Sequence, residues 1–255
     1  MDTNLSRRSM LKGTALVGGG MLLSFSQLFG LSSLNAQAAT PAATVEPDDD
    51  LQTIINLAAT AELFATTHYL AAINSAKNLG LDDAQVAYMQ AGFLAEQDHL
   101  DLLKSLGAKP VATQFYVPGD LFSNIDTFTA TTEVAETAFT GAYLAAVRIL
   151  GQSADTMPYA VTCAQIAAVE QTHLALIRQI GKKLANNTSY AQFSLYNVSS
   201  AVPVLQPFLD GKAQGFTGPV QAPSDSDVAG VKAVASKIGY DNPGVPFPAI
   251  KTMPM

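Results

Sequence analysis

The chain contains the same segment twice, 74 residues apart, and the two copies agree at polar positions. Residues 61–73 align with residues 135–147 at seven of thirteen positions. Alanine matches carry little weight between alanine-rich helices, but Glu62 falls on Glu136 and Tyr69 on Tyr143. The same offset lays Glu96-Gln97-Asp98-His99-Leu100 on Glu170-Gln171-Thr172-His173-Leu174. It also pairs Leu102 with Leu176, Lys104 with Arg178 and Gly107 with Gly181. One constant offset throughout is the mark of a duplicated unit.

Each unit reads as a helical hairpin. Ile55, Ala59, Glu62, Leu63, Thr66, Leu70 and Ile73 fall at three- and four-residue spacing, which makes one stripe of a helix. Gly80 stops that helix, and Asp82 or Asp83 can cap the next. The second helix carries Met89, Gly92, Glu96, His99, Leu103 and Leu106 on one face, and Gly107 and Pro110 end it. The third carries Glu136, Thr140, Tyr143, Val147 and Leu150 and ends at Gly151. The fourth starts near Asp155 to Pro158 and carries Cys163, Ile166, Ala167, Glu170, His173 and Ile177. Short connections make the helices of each hairpin antiparallel neighbours, and the longer link, roughly 108–126, crosses the bundle. The expected fold class is all-α: a four-helix bundle built from two duplicated helical hairpins with one long crossover, plus a proline-rich C-terminal extension.

Six polar side chains sit where this bundle needs a core: Glu62, Glu96, His99, Glu136, Glu170 and His173. A Glu-x-x-His pair at i, i+3 puts both side chains on one helical face. A lone pair of this kind is usually a solvated face. Two of them, each 34 residues after a glutamate on an apolar stripe, are not. Four carboxylates converging in an interior repel one another and are costly to bury alone. Two divalent cations supply the four positive charges that balance them. Carboxylate and imidazole donors suit iron or manganese.

With one Glu from each of two helices and a Glu-x-x-His from each of the other two, the chain resembles the ferritin-like superfamily of dimetal carboxylate proteins. Within it, the chain is most similar to the exported, stress- or desiccation-related ferritin-like proteins, over about residues 48–184. The resemblance implies that Glu62, Glu96 and His99 serve one ion and Glu136, Glu170 and His173 the other, with Glu96 and Glu170 as bridges. It implies redox chemistry with O2 or peroxide: Fe(II) oxidation, peroxide removal, or oxidation of a small organic substrate. A metal-binding or structural envelope stress protein without turnover is the alternative, and iron storage in a cage a third. Glu133 competes with Glu136 as a ligand, but the 74-residue register favours Glu136. Tyr69 and Tyr143 each follow a ligand glutamate by seven residues and read as packed core, with an outer-shell or redox role as the alternative. His68 is turned off the ligand stripe and reads as surface or interhelical packing, and Cys163 as inert core.

The N-terminus reads as an address. Ser6-Arg7-Arg8-Ser9-Met10-Leu11-Lys12 resembles the twin-arginine export signal, with Met10 in place of the usual phenylalanine. A weakly apolar stretch to about Leu34 and a small-x-small site at Ala36-Gln37-Ala38 follow, so cleavage is expected after Ala38. Its glycines and serines make the stretch a poor membrane anchor. Removing residues 1–38 shifts the formal net charge from -7 to -9. Export of the folded chain by the twin-arginine machinery, to the periplasm or cell envelope, fits a cofactor loaded inside the cell. A chain this acidic lacks the electrostatic footprint of a nucleic-acid binder. One cysteine excludes an internal disulfide framework and multi-cysteine metal sites.

Residues 188–255 hold eight of the thirteen prolines. Val202 to Pro207 read as extended chain packed on the bundle. Ser224 to Gly239 read as one short helix, capped by Ser224 or Ser226, with Val228, Val231, Val234 and Ile238 inward. The extension is expected to wrap the bundle, with homo-oligomer contacts or the shielding of one bundle end as the alternative. No nucleotide loop or nucleophile triad is apparent.

Overall fold

A computed structural model of the chain describes residues 47–192 and 195–247. The signal assigned to residues 1–38 and the final residues 248–255 lie outside the described residues. Four long helices carry the fold: α1 (Leu51–Asn74), α3 (Asp83–Ser105), α4 (Ile125–Leu150) and α5 (Met157–Ile180). A single turn, α2 (Ala76–Leu79), follows α1 and ends at Gly80, whose φ of 68° is the left-handed stop that glycine adopts without strain. The helix starts are fixed locally. Asp50 accepts from the Thr53 N–H at 2.6 Å, and Asp82 and Gln85 form a reciprocal capping box. Asn124 accepts from the amides of Asp126 and Thr127. Pro158 occupies the first turn of α5, where its missing N–H leaves nothing unsatisfied.

Helix α1 packs along α3, and α4 along α5; the two hairpins meet through α1 on α4 and α3 on α5. Small residues allow the close approach: Ala59, Ala72 and Ala145 are fully buried at helix contacts. From Ala58 to Tyr69, α1 is buried on every side, so its glutamate and threonines lie inside whatever face they occupy. Leu106, counted on the apolar stripe of the second helix, is instead 41 % exposed, because it caps α3 at the bundle end. Among the described residues, no helix is long and apolar enough to cross a membrane.

The link between hairpins holds strand β1 (Gln114–Pro118), which pairs antiparallel with β2 (Phe216–Gln221) of the extension. Phe115 and Val117 of β1 are buried, and the Phe115 ring packs edge-on against Phe64 of α1 at 5.4 Å. The extension departs from the extended-chain expectation. A 3-10 turn (Val198–Ala201) runs into a helix, α6 (Val202–Asp210). Pro203 lies in its first turn, where proline is tolerated, and Val204, Leu205 and Phe208 bury one face. That burial holds the helix together despite Pro207 inside it. Beyond β2, Ser224 caps α7 (Asp225–Lys232) in a capping box with Asp227. A separate 3-10 turn (Ala235–Ile238) follows, so the single helix expected over 224–239 is two elements. Val231 is its one fully buried valine; Val228, Val234 and Ile238 are half-buried. Both elements lie on α3, where Tyr240 donates to Asp98 at 3.2 Å.

Candidate metal centre

The bundle brings all six singled-out side chains to one place. Glu62 comes from α1, Glu96 and His99 from α3, Glu136 from α4, and Glu170 and His173 from α5. The four glutamates are at most 1 % exposed and His173 is 8 % exposed. The His99 side chain, at 13 %, is the most accessible of the six.

Their atoms form two overlapping groups. Glu62, Glu96, His99 and Glu170 make one and Glu96, Glu136, Glu170 and His173 the other, each with its donor atoms within 4.8 Å of one another. His99 Nδ1 lies 3.4 Å from Glu96 Oε2, 3.5 Å from Glu170 Oε1 and 3.8 Å from Glu62 Oε2. His173 Nδ1 lies 2.8 Å from Glu96 Oε1, 3.3 Å from Glu170 Oε2 and 3.9 Å from Glu136 Oε2. Glu96 and Glu170 thus each turn one oxygen toward each group, while Glu62 and Glu136 belong to one group apiece. That division follows the duplication: the glutamates of the two Glu-x-x-His pairs are shared, and the histidines and the other two glutamates are terminal.

These atoms are also unsatisfied. Among the described residues, eleven buried side-chain polar atoms lack an aligned hydrogen-bond partner, and eight of them belong to these six residues. Buried polar groups are otherwise almost always paired. The electrostatics carry the same strain. Burial, and then the neighbouring Glu96 charge, pushes Glu62 well above the usual carboxylate range. Burial raises Glu136 likewise. For His99 burial acts downward, but the facing carboxylates of Glu170, Glu62 and Glu96 outweigh it and raise the imidazole. Glu96 and Glu170 do the same for His173. Burial also opposes ionisation of Glu96, yet its neighbours, chiefly Glu62 and His173, bring it below the usual range.

The two tyrosines cross between hairpins. Tyr69 of α1 donates to Oε1 of Glu136 on α4 at 2.5 Å, and Tyr143 of α4 donates to Oε1 of Glu62 on α1. They are packed core, as their burial requires, but their hydroxyls also hold the two terminal glutamates and leave each Oε2 free. The sequence signal was present in the seven-residue Glu–Tyr spacing of both halves; the crossing was not readable, because it depends on how the hairpins dock. Glu133 is engaged elsewhere, with Arg178 and, at 2.5 Å, with Lys183. His68 lies in the interhelical core, stacked on Phe128 at 5.1 Å with Nε2 2.8 Å from Thr132 Oγ1. Cys163 is away from the carboxylates on the wall of an apolar cavity, and burial pushes its thiol up to about 12.

Residues 50–183, just over half of the chain, match the family model described as a ferritin-like domain, and the chain belongs to that family. No curated protein and no solved structure matches it. The ferritin-like fold and the buried carboxylate–imidazole cluster together are compatible with a dimetal site.

Proposed function

We propose that the chain holds two divalent cations, iron or manganese, and serves as an exported redox protein acting on O2 or peroxide in stress or desiccation protection. Glu62, Glu96, His99 and Glu170 would hold one ion, and Glu96, Glu136, Glu170 and His173 the other. The observation that carries this reading is the set of eight orphaned donor atoms converging from four helices. Four buried carboxylates and no Lys or Arg in either group leave an interior that cations of total charge four neutralise. A pair of iron or manganese ions supplies one-electron oxidation and reduction toward O2 or peroxide.

The chain's own residues do the rest. Tyr69 and Tyr143 fix the terminal glutamates through Oε1, so that each presents Oε2 inward. Partners of this kind orient ligands and set affinity. The near-complete burial of the glutamates excludes bulk water, and the His99 edge is the most accessible part. The α7 side of the extension lies on α3, the helix that carries His99.

The test is metal stoichiometry. Chain purified from its native compartment, stripped with chelator and titrated anaerobically with Fe(II) or Mn(II), should bind two ions. Glu96→Ala with Glu170→Ala should bind neither. Addition of O2 or peroxide to the Fe(II) form should then produce an oxidised-iron absorption band. Two ions retained by the double variant would defeat the site; two ions with no spectral change would leave a metal-binding protein without redox turnover.

A further inference from the structure

The duplication supplies an internal comparison of the two ends of the bundle. At one end, His68 stacks on Phe128, meets Thr132 and packs edge-on against Tyr69. Seventy-four residues away, the counterparts of His68, Phe128 and Thr132 are Ala142, Ile54 and Ala58. All three line a cavity of about 100 Å³ at the opposite end, beside Tyr143. The bulky trio at one end thus has a smaller trio as its twin, and a void stands open where the smaller side chains sit.

The walls define what fits. No lining residue carries a charge, so a charged ligand finds no counter-ion. The lining is almost wholly hydrocarbon. Of its four polar side chains, Tyr143 is committed through its hydroxyl to Glu62 and Thr162 donates to the Pro158 carbonyl of its own helix at 3.3 Å; the Tyr159 hydroxyl and the Cys163 thiol are the other two. Leu51 and Leu106, 40 % and 41 % exposed, also line the cavity and give it a solvent edge. Val198 and Leu205 of the extension form part of the wall. An engineered apolar cavity of about 150 Å³ stays dry and binds benzene or xenon; this one, at about 100 Å³, is smaller but open along the Leu51 and Leu106 edge.

We propose that this cavity binds an uncharged, apolar organic molecule no larger than about one aromatic ring, beside the metal centre and separated from it by Tyr143. Tyr143 is the shared element: its ring is cavity wall and its hydroxyl is on Glu62, so an occupant bears on the residue that holds a terminal ligand. The link to the metal centre rests on the dimetal reading given above; the binding itself does not.

Benzene is the probe, titrated into the full chain, both metal-free and Mn(II)-loaded, and followed by calorimetry, with NMR of the tyrosine rings in the metal-free form. Saturable binding is expected in both forms, with shifted Tyr143 resonances in the metal-free one. Ile54→Phe with Ala58→Thr and Ala142→His transplants the bulky trio. It should weaken benzene binding at least tenfold while two ions still bind. Ala58→Leu alone, which fills the void from a buried position, should do the same if the triple variant does not fold. Absence of saturable binding to the unaltered chain overturns the proposal, as does undiminished binding by the folded sealed variants. Benzene binding by a chain that holds no metal leaves the pocket standing and removes only the dimetal reading; two bound ions without benzene binding remove only the pocket.

Discussion

Replacing Glu62 by Gln removes an ionisable group at almost constant volume, and at a pH that ionises Glu62 its effect on stability should reverse sign with metal. In the metal-free chain Glu62 is 1 % exposed; Oε1 accepts from Tyr143, and Oε2 has no aligned partner. A buried polar group left unsatisfied costs about 1–3 kcal/mol, and more when charged. Glutamine keeps the acceptor for Tyr143 and puts an N–H donor where Oε2 faces a carboxylate-rich site. At a pH high enough to ionise Glu62, the metal-free variant should therefore be more stable by about 2 kcal/mol, raising Tm by roughly 4–8 °C in a domain of this size; where Glu62 is protonated its own O–H does the work of the amide and the difference vanishes. With Mn(II) at a hundred times its dissociation constant, each site occupied only in the folded state adds about 2.7 kcal/mol to the unaltered chain. The neutral amide is a poorer cation ligand, so the variant loses most of one site's contribution and melts lower. Scanning calorimetry of both proteins, in chelator and across an Mn(II) series, reads the crossing directly. A variant that is less stable than the parent in chelator as well as in metal would refute the reasoning, because the carboxylate would then be stabilising without a cation.

Three further outcomes are expected. Tyr143→Phe removes the donor that holds Glu62; losing an outer partner of a ligand should weaken metal binding about 10- to 100-fold with the fold intact, and unchanged binding isotherms would contradict it. Gly92→Ala sets a methyl 3.1 Å from the ring of Tyr69, which is buried and pinned to Glu136. The overpacking cost of about 1–3 kcal/mol exceeds the helix-propensity gain of about 1 kcal/mol, so thermal melts should show net destabilisation. Burial holds His68 down to about 4 against its usual 6.5. Between those pH values the unfolded chain binds more protons, so this part of the stability is present above 6.5 and lost as pH falls toward 4, about 3 kcal/mol in all. His68→Gln should lack that component in denaturant melts across the range; superimposable pH profiles of the two proteins would contradict it.

The hairpins and the six inward donors were legible because duplication writes each twice: Glu62 and Glu136, or His99 and His173, at one offset cannot be coincidence on alanine-rich helices. The extension was harder. Pro203 and Pro207 read as helix breakers, although one stands in the first turn and Val204, Leu205 and Phe208 supply a face whose burial outweighs the other. Strand β1 escaped notice because its partner β2 lies about a hundred residues on, and a pairing that distant leaves only the short alternation around Phe115 and Val117. The crossed tyrosine bonds and the cavity depend on docking between hairpins. Even so, the replacement of His68, Phe128 and Thr132 by Ala142, Ile54 and Ala58 is visible in the aligned halves.

Crystals of the chain soaked in Mn(II) and measured for anomalous scattering test the central claim most directly. Two peaks per chain are predicted, one among Glu62, Glu96, His99 and Glu170 and one among Glu96, Glu136, Glu170 and His173, with Glu96 and Glu170 touching both. A well-ordered bundle with no peak inside it, or with Mn(II) only on surface carboxylates, would contradict the dimetal reading.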